Sequence, residues 1–328
     1  MPPTHPWRAI SPPSSASADI AALPWQTLGA TPVTVDWTSE RPDSVIRQVT
    51  VEDATGRRPV IVKRHRQETD PHRSAGTRAR YEHDILTMLR ASMSDAYTVP
   101  RPLLVDDPSG AIVIERASGE ALDAMIGRGK RSAGGARALQ EPLRRAGAWL
   151  RLMHHSTATQ EDGATLLQNV VARALADVDQ LAALDWRIRR RRAPLTARLH
   201  ELARRVPTHP VTGHHGDYWA GNIFMSDARV DVIDFEGYRR GLPLEDVAYF
   251  LVSLDLLFPR FRNRLPPLRE AFLDGYFDGA PRDELSLQLF TLTKTLYALG
   301  RGPGAQHPLP LRLWIRHMHR EIVFRALG

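Results

Sequence analysis

Two short stretches in the second half of the chain hold residue types that can manage a phosphate and a proton together. One is His215-Gly216-Asp217-Tyr218-Trp219-Ala220-Gly221-Asn222, and the other is Ile233-Asp234-Phe235-Glu236. Asp217 stands five positions before Asn222 on a polar, Gly-punctuated loop, and Asp234 closes an apolar strand pattern twelve positions later. Phosphoryl transfer needs a carboxylate that orients the attacking hydroxyl and takes its proton. It also needs hard oxygen ligands for Mg2+ and an offset for the charge that develops on the phosphoryl oxygens. Asp217 fits the first role, and Asn222 and Asp234 fit the second. Mg2+ takes only one or two protein carboxylates, which suits so sparse a set. Singly, each residue reads better as a turn former or a strand-end cap. Together, four residues at fixed spacing arise by chance about once in a thousand at average usage.

The elements around these stretches follow from apolar periodicity. IFM and VDVIDF read as two short strands about the turn Ser226-Asp227-Ala228. Upstream, the pattern predicts strands over Val33–Trp37, Val45–Val51 and Pro59–Lys63, the last two joined by the turn Asp53-Ala54-Thr55-Gly56. It predicts a helix near Arg78–Arg90, then a hairpin of LLV and AIVIE about Asp106–Gly110. Beyond Ser118-Gly119 the pattern turns helical. Leu139, Leu143, Ala146, Leu150 and Met153 form one apolar stripe, with Pro142 admissible in a first turn. Residues 165–206 continue as Arg- and Ala-rich helix, and further helices are interrupted at Gly300–Gly304. Residues 1–24, rich in Pro and Ser, are expected to form a flexible tail.

HGDYWAGN and VIDFEG resemble the catalytic loop and metal-binding strand end of the aminoglycoside phosphotransferase and choline kinase family. Pro243-Leu244-Glu245-Asp246-Val247-Ala248 resembles that family's next helix opening, with Leu242 where an acidic residue often precedes the proline. The resemblance implies an α+β, two-lobed, protein-kinase-like fold: a small antiparallel β-sheet lobe with one helix, then a larger, mainly helical lobe. The implied boundaries are a nucleotide-binding lobe over 25–115 and a helical lobe over 116–328. The second lobe would hold the catalytic loop 213–222 and the metal strand end 230–236. By the same resemblance, ATP and Mg2+ are the cofactors, Asp217 is the catalytic base, and Asn222 and Asp234 are metal ligands. Lys63 would contact the α- and β-phosphates, held by Glu82 from the next helix; the alternative places Lys63 in the basic surface run Lys63-Arg64-His65-Arg66. Ala111–Gly119 resembles the inter-lobe connector, where the Glu115 carbonyl and the Ala117 amide would meet the adenine edge; an ordinary strand leaving for a loop stays open. The loop Ser39–Ser44, which should cover the phosphates, lacks the glycine that lets backbone amides approach them.

Composition sets outer limits. The 328 residues are 42% hydrophobic, enough for one large domain or two lobes. The net charge of +7 suits an anionic partner without choosing one. No cysteine is present, which excludes disulfides, thiolate nucleophiles and cysteine-ligated metals. The longest apolar run, Val247–Phe258, is broken by Asp255 and too short to span a bilayer. A soluble, cytoplasmic protein without stable membrane insertion is expected. Arg187 and Arg189–Arg192 read as a solvated helix end, or as a site for an anion or lipid headgroups. No base-stacking or groove-reading motif accompanies them, so no nucleic-acid partner is expected. His154 and His155, adjacent on a helix, do not face one side and so do not pair as ligands. Glu236 either reaches a second Mg2+ or stays exposed on its turn. The leading function is transfer of the γ-phosphoryl of ATP to a hydroxyl of a small molecule such as an antibiotic, amino alcohol or sugar. A catalytically weak, kinase-like binding module is the alternative, supported by the glycine-free loop. Oligomeric state is not legible in the sequence.

Overall fold

A computed structural model of the protein describes residues 14–15, 18–67, 74–129, 134–257, 265–301 and 309–327. The chain runs β1 (Ser14–Ser15), α1 (Ala18–Ala21), β2 (Thr31–Glu40), β3 (Ser44–Asp53), β4 (Gly56–His65), α2 (Ala75–Ser92), β5 (Tyr97–Thr98), β6 (Pro102–Asp106), β7 (Ala111–Glu115) and β8 (Glu120–Ala121). It continues as α3 (Leu122–Gly129), α4 (Gly135–Ala138), α5 (Gln140–Ser156), α6 (Ala164–Leu184), α7 (Trp186–Arg189), α8 (Arg192–Arg205), β9 (Thr212–His214), β10 (Ile223–Met225), β11 (Val230–Val232) and β12 (Arg239–Gly241). Four helices finish it: α9 (Pro243–Leu257), α10 (Leu265–Phe277), α11 (Glu284–Arg301) and α12 (Leu309–Arg325). Two compact units result. One holds the chain up to Glu120 together with Phe224–Gly237; the other holds Ala121–Ile223 and the chain from Tyr238 onward.

The first unit is built on an antiparallel sheet in the order β1-β2-β3-β4-β7-β6. Val at alternate positions, Val49 and Val51 on β3 and Val60 and Val62 on β4, puts one face into a core shared with Val35 and Val113. The β3–β4 turn forms because the Thr55 amide donates to Asp53 (2.8 Å) while Gly56 takes a φ of 109°. The strands run one to three residues past the predicted ends, because the flanking Thr, Glu and Arg residues stay in the ladder. Helix α2 starts at Ser74, whose hydroxyl accepts from the Thr77 amide (3.2 Å). The expected flexible tail needs correction at its end. Ile20, on α1, and Leu23 are buried in the sheet's core, and the Trp25 indole N–H bonds the Ile20 carbonyl (2.6 Å). A few apolar residues suffice to anchor a Pro- and Ser-rich segment against an open sheet face. The rest of that expectation, residues 1–13 and 16–17, lies outside the described residues, as do residues 302–304 of the Gly-Pro stretch. Strand β11 stops at Val232, shorter than VDVIDF suggests. Asp234 has a φ of 70°, which turns the chain out of the ladder into a 3₁₀ turn over Phe235–Gly237.

In the second unit the stripe on α5 is buried as expected, with Pro142 in the first turn. Helices α5 and α10 approach closely through Gly147 and Gly275: a β-carbon on either would lie about 2 Å from a backbone carbonyl of the other helix, Phe272 O or Arg144 O. A separate core joins α6, α8, α11 and α12 through Val178, Leu195, Leu199, Leu292, Leu296 and Val323. Strands β9 and β12 pair antiparallel, with His214 opposite Arg239.

Candidate functional site

Within the first unit, Lys63 lies two residues before the end of β4 and is almost fully buried. Its ammonium lies 2.9 Å from Glu82 Oε2, 2.8 Å from Asp234 Oδ1 and 3.6 Å from Glu236 Oε2. Burial alone would depress the Lys63 pKa, but Asp234 and Glu82 outweigh it and hold the group charged, above the ordinary lysine value. Burial likewise pushes the Glu82 carboxyl up, and the Lys63 ammonium brings it below its usual range. Lys63 is therefore not part of an exposed basic run. Asp234 has a second cation: Arg41 Nη1 lies 3.3 Å from Oδ2. Arg41 comes from the glycine-free β2–β3 loop, which is closed by its own amide donating to the Ser44 carbonyl (2.8 Å). Arg78 of α2 binds Glu236, so that carboxylate is neither exposed nor free.

The same unit contains a cavity of about 180 Å3. Ile46, Ile61, Ile114, Ile233 and Trp37 give it apolar walls, and Lys63, Glu82 and Asp234 border it. Glu115, Arg116 and Ala117 also line it. That stretch is fixed from below, since the Ser118 amide donates to the buried Asp231 (2.7 Å). Whole small-molecule sites run to roughly 300–1,000 Å3, so this cavity fits the ring of a nucleotide, with cationic Lys63 at its edge. For a metal the fit is of another kind. Asp234, drawn to two cations, is a carboxylate where positive charge already gathers, and one carboxylate is what Mg2+ commonly takes. No group of three or more His, Asp or Glu residues able to cage a metal exists among the described residues.

Within the second unit, Asp217 and Asn222 come together. Asn222 donates through Nδ2 to the Asp217 carbonyl (3.0 Å) and to Oδ2 (3.2 Å), while the Tyr249 hydroxyl on α9 donates to Asp217 Oδ1 (2.8 Å). Burial, then the Asp217 carboxylate, push the Tyr249 hydroxyl above its ordinary range, so it stays a donor. The loop is anchored by Asp246, which is fully buried in the first turn of α9. It accepts from the amides of His215 (2.7 Å) and Gly216 (3.1 Å), and it lies 2.9 Å from His214 Nε2 and 3.2 Å from His154 Nε2. Burial raises the Asp246 carboxyl, but His214 and His154 take it well below the usual range. Burial lowers His154 towards the neutral form. A neutral ring donating from Nε2 to Asp246 accepts at Nδ1 from the Tyr276 hydroxyl (2.9 Å). His154 thus packs and bonds while His155 is exposed, as their adjacency predicts. Tyr218 is fully buried, stacked on Trp149, and donates to the Ala146 carbonyl (2.7 Å), so it packs the loop.

The structure therefore gathers Lys63, Glu82 and Asp234, with Glu115 and Ala117 on the adjoining cavity, and separately Asp217 with Asn222. Sequence reasoning missed Arg41, Arg78 and Tyr249, which carry no motif. It quoted Asp246 only as part of a helix opening; its place at the start of an apolar helix was the available signal.

The Phosphotransferase enzyme family model matches residues 42–288. Among curated proteins none matches. Solved structures do. A glucosamine kinase in complex with glucosamine, ADP and inorganic phosphate is 15% identical, with a TM-score of 0.57, over 95% of this chain and 99% of its own. A thermostable mutant of an aminoglycoside phosphotransferase is 16% identical, with a TM-score of 0.58, over 93% and 98%. A Plasmodium vivax ethanolamine kinase is 13% identical, with a TM-score of 0.53, over 86% and 81%. At these identities the likeness is one of fold: α+β and protein-kinase-like, an antiparallel β-sheet region followed by a mainly helical one.

Proposed function

The chain belongs to the phosphotransferase enzyme family, and from that premise we propose that it moves the γ-phosphoryl of ATP to a hydroxyl of a small molecule. The buried Lys63, held charged between Glu82 and Asp234 beside an apolar cavity, carries this reading. Lys63 binds phosphate oxygens, and Glu82 keeps its ammonium in place. Glu115 and Ala117 offer a backbone carbonyl and amide to the base. Asp234, and Asn222 through the amide oxygen left when its nitrogen bonds Asp217, supply the protein's ligands to Mg2+. Bound Mg2+ neutralises charge that develops on the phosphoryl oxygens. Asp217 orients the acceptor hydroxyl and receives its proton, with Tyr249 and Asn222 limiting rotation of its carboxylate. No helix among the described residues is long and apolar enough to cross a membrane; a cytoplasmic setting, where ATP is plentiful, is part of the proposal.

A screen of hydroxyl compounds by ADP release tests the reading. It begins with amino sugars and amino alcohols, since glucosamine and ethanolamine kinases share the fold. Asp217→Asn should lower turnover about 10²–10⁴-fold, the usual worth of a positioned base, while leaving the melting temperature unchanged. Wild-type turnover in that variant would remove Asp217 from the chemistry. Mg2+·ATP binding without turnover on any acceptor would favour a kinase-like binding module.

A further inference from the structure

In the second unit, α7, the two residues that lead from it into α8, and α12 line a cavity of about 690 Å3. Its lining includes Arg187, Arg190, Arg191 and Arg320 against a single carboxylate, Glu321. Some exposed arginines of this unit have acidic partners, such as Arg192 with Asp179 and Arg205 with Glu201. Arg187, Arg190 and Arg191 have none among the described residues. They lie instead on aromatic faces. Arg187 and Arg190 are 5.6 and 5.8 Å from the Trp186 ring centroid, and Arg191 is 4.1 Å from that of Phe324. Trp186 is 58% exposed, so burial does not explain this tryptophan, whereas holding two guanidiniums does. Arg320 is fixed by Asp185 (2.9 Å), which also caps α7 by accepting from the Arg187 amide (2.9 Å).

From these contacts we infer that this cavity binds a soluble small molecule carrying two or more phosphate groups, at a site distinct from the one that holds ATP. A stacked guanidinium keeps its charge and its N–H edge, and its planar fork matches two phosphate oxygens at once. Because the rings already restrict the arginines, less side-chain freedom is lost on binding. The volume lies within the usual small-molecule range of roughly 300–1,000 Å3. A concave site of that size suits a compact polyanion better than a flat membrane.

Calorimetric titration with inorganic tripolyphosphate at about 0.15 M salt, where the Debye length is near 8 Å, tests the inference on the full chain. The expected result is saturable uptake that persists in Lys63→Ala and falls at least tenfold in the Arg187→Ala/Arg190→Ala double variant. The corresponding double lysine variant, which keeps charge but loses the fork, should bind in between. Equal melting temperatures for wild type and the arginine variants, and a melting transition of Lys63→Ala well above the titration temperature, serve as the fold check. Uptake untouched by the arginine changes, lost in Lys63→Ala, or vanishing at that salt concentration would overturn the inference. So would retention on anionic phospholipid vesicles or on a single-stranded oligonucleotide that tripolyphosphate fails to displace.

Discussion

Asp234 is held by Lys63 and Arg41 at once, and the two cations differ in what they compete with. Lys63 is buried with Glu82 and stays. Arg41 arrives from a loop and is about a quarter exposed, so any cation that comes to Asp234 contends with it. Arg41→Ala should therefore lower the Mg2+ concentration that half-saturates turnover by about twofold to fivefold, the equivalent of up to ~1 kcal/mol for a partly exposed pair. Titrating Mg2+ at fixed ATP measures this, and a rise would show that Arg41 assists the metal. Tyr249 donates its hydroxyl hydrogen bond to Asp217. Tyr249→Phe keeps the ring and removes one hydrogen bond to a charged group, worth about 1.5 kcal/mol. The expected outcome is a roughly tenfold lower kcat with the KM for ATP unchanged, measured by steady-state ADP release. Asp217, Asn222 and Asp234 could be proposed from the sequence because their spacing is local. Arg41 could not, because it meets Asp234 across 193 positions.

At the scale of elements, helix α12 carries His319, which is buried with both ring nitrogens unpartnered among the described residues. Desolvation lowers its pKa to about 4. Unfolded, the ring titrates near 6.5. The folded value is the lower one, so stability is full above the unfolded pKa. It declines as pH falls below about 6.5, with the loss complete near pH 4. The accumulated loss is on the order of 3 kcal/mol. His319→Leu should flatten this acid limb, raising the melting temperature more at pH 5 than at pH 8; an equal shift at both would mean that the ring does not stay neutral in the fold. The helices of this unit and the strands of the other were predictable from periodicity. Their ends were not, since those depend on particular closures such as the Ser74 cap and the positive φ of Asp234. Nor was the anchoring of Ile20 and Leu23, because they stand apart among Ala, Asp and Pro with no sustained apolar period.

For the whole molecule, ligand binding should appear as stability. Mg2+·ATP at a hundred times its Kd stabilises by about 2.7 kcal/mol when only the folded chain binds it. Lys63→Ala should abolish most of the corresponding rise in melting temperature. Removing Lys63 also strands the buried Glu82 carboxylate, so the unliganded variant should itself melt lower, by the equivalent of about 3–5 kcal/mol. Differential scanning fluorimetry with and without nucleotide separates the two effects. An undiminished nucleotide shift in that variant would place the phosphates away from Lys63.

The amino-acid order alone determined the β-rich first part and helical second part, and it carried the residues proposed for phosphoryl transfer, because periodicity and a short motif are properties of neighbouring positions. Only the tertiary structure decided that Lys63 is a buried ion-pair partner rather than one of a basic run, and that Asp246 ties down the loop of Asp217. It alone turned an arginine-rich helix end into an aromatic-backed cavity. Burial and the pairing of charges depend on which distant segments meet, and that is set by packing the whole chain.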